Sequence, residues 1–156
     1  MPVQIRHATP DDLLVVTKLF RETIQHVSSN HYSPVQVAFW KSSTDDLPKW
    51  KKRIEDLYFI VAEKDSLIAG FAYLKDGNYF DGLFVHHEHQ GDGIATLLAN
   101  TIEHKVMDNG YDSIHSDVSI TAKPFFEKRG YKVNEFQMKP FKGVTFESYI
   151  VSKTLV

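Results

Sequence analysis

Tyr79-Phe80-Asp81-Gly82-Leu83-Phe84-Val85-His86 runs into His87-Glu88-His89-Gln90-Gly91-Asp92-Gly93, and then into an apolar stripe of Ile94, Leu98, Ile102 and Val106 flanked by Ala95 and Leu97. The first segment is aromatic and branched, as a strand requires. The third repeats at helical spacing and predicts a helix from Ile94 to about 107 that lays one face on a sheet. Between them lies a glycine-rich turn. A helix start exposes unpaired N–H groups and a partial positive charge. Glycines 91 and 93 carry no Cβ to hold an anion away from those amides. Gln90 to Ala95 therefore fits a pyrophosphate cradle, and it equally fits an ordinary strand-to-helix turn.

Around this stretch the chain of 156 residues suggests one domain, residues 1–156, without repeats or linkers. Val3 to His7 alternates as a strand. Thr9-Pro10-Asp11-Asp12 starts a helix carrying Leu13, Val16, Phe20, Ile24 and Val27 to about Ser28. Ser33-Pro34-Val35-Gln36 has capping-box spacing and opens a short helix through Trp40. Residues 42–46 read as a polar loop, and a third helix begins at Pro48. Three strands follow as an antiparallel meander: Tyr58 to Glu63, Leu67 to Leu74, and 79–86. The helix after Gly93 crosses to a strand at 113–118, which predicts parallel neighbours. A short helix over 122–131 closes at Gly130, and strands 133–138 and 144–154 make a hairpin around Pro140 to Gly143. The expected fold class is α+β, a three-layer arrangement. Its mixed, mostly antiparallel sheet has about seven strands, helices on both faces, and one parallel pair (the fourth and fifth strands) that splays apart.

Composition narrows the function. The chain is 42% hydrophobic and 24% charged with a net charge of -2, so it lacks the basic face of a nucleic-acid binder. The absence of cysteine excludes disulfides, thiolate metal sites and a cysteine nucleophile. No apolar run approaches a membrane span and Met1 to Arg6 lacks a leader-like apolar core, so the expectation is a cytoplasmic protein with no membrane partner. His86, His87 and His89 lack the i, i+4 helical pair of a zinc motif, and no metal is expected. Gly-x-Gly is followed by Thr96 rather than a third glycine and sits mid-chain, which argues against a dinucleotide fold.

The element order, together with two spaced motifs, resembles the GNAT superfamily of N-acetyltransferases. Gln90-Gly91-Asp92-Gly93-Ile94-Ala95 matches the family's Gln/Arg-x-x-Gly-x-Gly/Ala. Phe126-Glu127-Lys128-Arg129-Gly130-Tyr131 matches its Phe/Tyr-Glu-Lys-x-Gly-Phe/Tyr. His31-Tyr32-Ser33-Pro34, Leu83-Phe84-Val85 and the run from Ser119 through Lys123 to Phe126 further resemble a poorly characterised bacterial subgroup. The resemblance implies acetyl-CoA as co-substrate. Amides of Gln90, Gly91, Asp92, Gly93, Ile94 and Ala95 would take its pyrophosphate. The main chain of Leu83, Phe84 and Val85 would pair with the pantetheine arm, and Ser119, Lys123 and Phe126 would complete the cofactor site. Two residues depart from the family pattern: Asp92 stands where relatives often carry a base, and Phe126 where many carry a proton-donating tyrosine.

The implied reaction needs a base for the amine, a donor for the oxyanion and an acid for the thiolate. Asp81, on the central strand between Phe80 and Phe84, is the leading base. Asp117 with His115, two residues apart on one face of the parallel strand, is an alternative base and orienter. Each of these groups also fits a solvated polar face. His31, Tyr32, Phe39, Trp40 and Phe80 are candidate acceptor contacts. The expected partner is a small-molecule amine. A homodimer through the aromatics of 136–149 is left open, as is a CoA-binding sensor that does not turn over.

Overall fold

The computed structural model describes residues 2–155. Seven strands form one sheet in the order β1-β2-β3-β4-β5-β7-β6. They are β1 (Val3–His7), β2 (Tyr58–Lys64), β3 (Leu67–Lys75), β4 (Tyr79–Val85), β5 (Ser113–Val118), β6 (Lys132–Phe141) and β7 (Val144–Thr154). Every neighbouring pair is antiparallel except β4 and β5. The single helical crossover between those two strands imposes the parallel direction.

Alternation along the strands sends side chains to two cores. Ile60, Ala62, Ala72, Leu74, Ile114 and Val118 face α4 (Ile94–Asp108) and α5 (Lys123–Lys128). Phe59, Val61, Phe71 and Tyr73 face α1 (Leu13–His26), α2 (Pro34–Lys41) and α3 (Leu47–Asp56). Residues of opposite parity thus fill opposite layers, and the expected three-layer arrangement is present. Among the described residues, no helix is long and apolar enough to cross a membrane.

Element ends differ from the sequence reading for local reasons. The first helix stops at His26 and is followed by a 3-10 turn over Ser28–Asn30. The expected loop at 42–46 is a 3-10 turn, Ser42–Asp45, after which the Asp46 side chain caps α3 by accepting from the Lys49 amide. The helix expected to 131 ends at Lys128, because the chain turns into positive φ at Gly130. The last hairpin turns on Lys142 and Gly143 alone, both at positive φ. Pro140 and Phe141 remain in register with Thr145 and Val144.

One irregularity positions the site. Tyr73 pairs with Gly82 but Leu74 pairs with Phe80, so Asp81 is an extra residue bulged from β4. A bulge re-aims its side chain and bends the strand. Gly82 is required beside it: a Cβ there would lie 2.1 Å from the Tyr73 ring.

Candidate active site

β4 and β5 pair only at Tyr79–His115 and Phe80–Ser116, and the Ser116 hydroxyl donates to the Phe80 carbonyl at 2.6 Å. Beyond that joint the strands separate. The His86 amide donates to the Ala69 carbonyl at 2.8 Å, which fixes the phase of hydrogen bonding along β4. Gly82 and Phe84 therefore turn their polar groups to β3, while Leu83 and Val85 turn theirs into the gap. The Val85 carbonyl is taken by Gln90 Nε2 at 2.8 Å and Thr23 Oγ1 at 3.2 Å. The Leu83 amide and carbonyl and the Val85 amide stay open to the gap. The main chain of Phe84, expected to face the gap, is directed at β3 instead. Its ring packs on Phe20 and Phe71 at 4.9 and 5.2 Å.

The gap leads to the start of α4. Gly91 and Gly93 have φ of 84° and 80°, and a Cβ at either would meet nothing within 4 Å. No internal crowding demands glycine here; the backbone conformation does. The first intrahelical bond is Leu97 to Gly93 at 3.1 Å, so the amides of Ile94, Ala95 and Thr96 have no helical partner. Ile94 is buried and anchors the turn to the core. Asp92 does not point at these amides. Its carboxylate contacts Lys64 Nζ at 3.1 Å and His89 Nδ1 at 3.3 Å, and the Lys64 bond holds it below the usual carboxylate range.

The gap and the space beneath α2, α3 and the β6–β7 hairpin form one continuous cleft of about 800 Å³ that reaches back to Gln90 and Ala95. Asp81 lines it. Burial raises the carboxyl above its ordinary value, with Arg53 and Lys75 opposing, and among the described residues it has no hydrogen-bond partner. Asp117 also lines the cleft, but it is paired with Lys139 and its other oxygen, Oδ1, is buried without a partner. His115 is exposed and packs on Tyr79 at 5.0 Å, away from the cleft lining. The structure does not bring Asp117 and His115 together as base and orienter, because Lys139 from β6 occupies the carboxylate.

The remaining expected residues divide similarly. Ser119 Oγ accepts from the Ala122 amide at 3.1 Å, a turn-capping bond, and the residue lines the cleft. Lys123 pairs with Glu127 at 2.9 Å and lies over Tyr149, outside the cleft lining. Phe126 is 2% exposed, edge-on to Phe80 at 5.4 Å and Tyr131 at 5.0 Å. Phe80 is thus part of the floor rather than an open acceptor contact. Phe39 and Trp40 form a wall with Phe146 at 5.8 and 6.1 Å. His31 is exposed and bonds Thr121 Oγ1 at 2.9 Å. The Tyr32 hydroxyl donates to the Glu147 carbonyl at 3.1 Å and accepts from the Ile120 amide at 2.9 Å; burial holds it above the usual tyrosine range.

Two groupings escape a linear reading. Arg53 ends a basic run, Lys49 to Arg53, that by sequence fits a solvated helix face, yet it lines the cleft with its guanidinium 4.7 Å from the Trp50 ring centroid. The i, i+3 spacing of Trp50 and Arg53 was the available signal. Glu22, on α1, reaches His86 Nε2 at 3.0 Å, and His86 stacks on His87 at 4.4 Å. This triad has metal-like composition. However, the Glu88 amide can only donate, so His86 Nδ1 must present its lone pair there, and Nε2 carries the proton directed at Glu22. That tautomer leaves His86 no free lone pair for a cation.

A splayed parallel pair beside a glycine-rich helix start defines a class. The model of the acetyltransferase (GNAT) domain matches residues 28–152, and the chain belongs to this family of N-acetyltransferases. It is 30% identical over 147 residues to the uncharacterized N-acetyltransferase YafP of Escherichia coli K12, covering 94% of this chain and 93% of that one. A crystal structure of a GCN5-related N-acetyltransferase from Rhodopseudomonas palustris is 27% identical with a TM-score of 0.96, covering 99% of this chain and 97% of the other. The PaiA N-acetyltransferase of Thermoplasma acidophilum, solved in complex with coenzyme A, is 20% identical with a TM-score of 0.80, covering 99% of both chains.

Proposed function

We propose that the protein transfers the acetyl group of acetyl-CoA to a primary amine of a small molecule or peptide by direct attack on the thioester. The observation that carries this reading is continuity: the open amides at the start of α4 lead into the open Leu83 and Val85 main chain, and that row ends at the bulged Asp81. The amides of Gly91, Gly93, Ile94 and Ala95 fit a pyrophosphate, since nothing within 4 Å fills the space a Cβ would take at either glycine, whereas the Asp92 amide donates to the His89 carbonyl at 3.3 Å. Leu83 and Val85 offer the pantetheine arm an edge like that used in strand addition. Ser119 lines the same cleft, and its hydroxyl, which accepts from the Ala122 amide, keeps a proton to offer the arm.

In the reaction the neutral amine nitrogen attacks the carbonyl carbon, the C–N bond forms, and the C–S bond breaks. An alkylammonium has a pKa near about 10.4, so a base must accept its proton. Asp81 suits this role because its raised carboxyl brings donor and acceptor closer in strength. The open Leu83 amide is the candidate donor to the oxyanion. Phe126 has no proton to give and the Tyr32 hydroxyl already directs its proton at the Glu147 carbonyl, so the Tyr73 hydroxyl or water would protonate the departing thiolate.

Phe126 also supports a second reading, a CoA-binding module without turnover. Incubation with acetyl-CoA and a panel of primary amines, following free thiol, separates the two. Amine-dependent thiol release supports transfer. Saturable CoA binding without release for any amine supports the module. Failure to bind CoA refutes both.

A further inference from the structure

Arg53 is a cation placed with care and left without an anion. Its guanidinium carbon lies 4.7 Å from the Trp50 ring centroid and 5.9 Å from that of Tyr73, two rings set at 78° to each other, so the group sits in an aromatic corner. A guanidinium held against aromatic rings still offers N–H donors, in a fork that matches a carboxylate. Yet none of the ion pairs among the described residues engages it, although Arg6, Arg129 and Lys139 all hold acids in the same fold. Asp81 is the complementary case: a half-buried carboxylate in the same cleft with no hydrogen-bond partner among the described residues. Both groups flank Tyr73, since Gly82 next to Asp81 lies directly under that ring. Arg53 is the foremost charge acting on the Asp81 carboxyl, but the two do not meet within salt-bridge reach. Opposite charges that share a cleft and stay apart leave room for a molecule carrying the inverse pair.

We propose that the acceptor is an α-amino acid with an apolar side chain: Arg53 takes its carboxylate, Asp81 faces its amine, and the Phe39–Trp40–Phe146 wall receives the side chain. This rests on the acetyl-transfer reading and adds the substrate class and its specificity residue. An amine and a carboxylate on one carbon make the most compact zwitterion that can answer two opposite charges in one cleft. An aromatic wall with ring centroids 5.8–6.1 Å apart offers apolar area and no further charge. Lys49 and Lys142, which also line the cleft without an ion-pair partner, add to the attraction for an anion. An amine lacking the carboxylate would leave the Arg53 fork unfilled.

The test is calorimetry on the full chain saturated with CoA. The ligands are L-phenylalanine, L-phenylalaninamide, phenethylamine and 2-aminoethyl phosphate, and thiol release from acetyl-CoA is followed in parallel. The expected result is that L-phenylalanine binds on the order of 10- to 100-fold more tightly than its amide or phenethylamine, the range set by a hydrogen bond to a charged group. Arg53→Gln should collapse that ratio toward one, and Arg53→Lys, which keeps charge but not the fork, should give an intermediate ratio. Melting curves show whether either variant is folded. The inference is overturned if the carboxylate-free amines bind as tightly as the amino acid. It is also overturned if 2-aminoethyl phosphate binds best, if Arg53→Gln keeps the preference, or if none of the four binds. Thiol release from phenethylamine without any carboxylate preference would sink this inference and leave acetyl transfer standing.

Discussion

Replacing Gly93 with alanine separates the cost of a backbone conformation from the cost of a lost ligand contact. Gly93 sits at φ 80°, where an L-residue costs about 1–2 kcal/mol. A less flexible unfolded chain returns about 0.4–1 kcal/mol. A Cβ at this position meets nothing within 4 Å, so no steric charge is added. The net loss of stability is therefore about 1 kcal/mol, and the melting midpoint should fall by about 2–4 °C for a chain of this size. Ligand affinity should respond far more strongly. A diphosphate held by the Ile94 and Ala95 amides would have to clear the new methyl group, and each amide-to-phosphate bond is worth about 1.5–3 kcal/mol. Losing two weakens CoA binding by about 10²- to 10⁴-fold. Titration calorimetry with CoA measures this, and S-acetylpantetheine, which lacks the diphosphate, is the control whose affinity should not change. Equal weakening of both ligands, or of neither, would refute the assignment of residues 90–95 to the diphosphate.

Asp81→Asn should lower kcat by about 10²- to 10⁴-fold, the range for a lost general base, while raising the melting midpoint at pH 7. The Asp81 carboxyl is raised in the fold, so the wild type loses stability as pH climbs from the ordinary carboxylate value through the raised one. The stability gap between variant and wild type should thus be near zero in acid and open as pH rises; a variant less stable than wild type at pH 7 contradicts the burial argument. Glu103→Gln tests the opposite sign. Burial alone would raise the Glu103 carboxyl, but it accepts from Tyr131 at 2.8 Å, Arg129 at 2.9 Å and Lys153 at 3.0 Å, and together these bonds hold it below its ordinary value. Its contribution is present above that value and is lost as pH falls through the lowered one, so the variant's deficit of about 3 kcal/mol at pH 7 should shrink in acid denaturation series.

Much of this architecture could be read from the chain because it is written in local periods. The Ile94 to Val106 stripe, the Ser33 to Gln36 capping box and the glycines at 91 and 93 each act within a few residues, and each reappears in place. The site was less legible where its partners are distant in sequence. Asp92 reads as an acid facing phosphates until Lys64, on β2, draws it aside. Asp117 reads as a free base until Lys139 arrives from β6. Arg53 reads as a surface cation because nothing local reports that Tyr73, on β3, lies beside it. The bulge at Asp81 depends on the register between β3 and β4, which no property of either strand alone determines. Local codes specify elements, while charge partners are specified only once the sheet order is known.

The two-pair joint between β4 and β5 divides the sheet into a four-strand blade and a three-strand blade hinged at Tyr79 and Phe80. The Leu83 and Val85 amides, though central in the molecule, should trade their protons with solvent as readily as those on an outermost strand. A bound thioester arm would act as a missing rung across that hinge. The sheet's last measure of rigidity would then be supplied by the substrate rather than by the polypeptide.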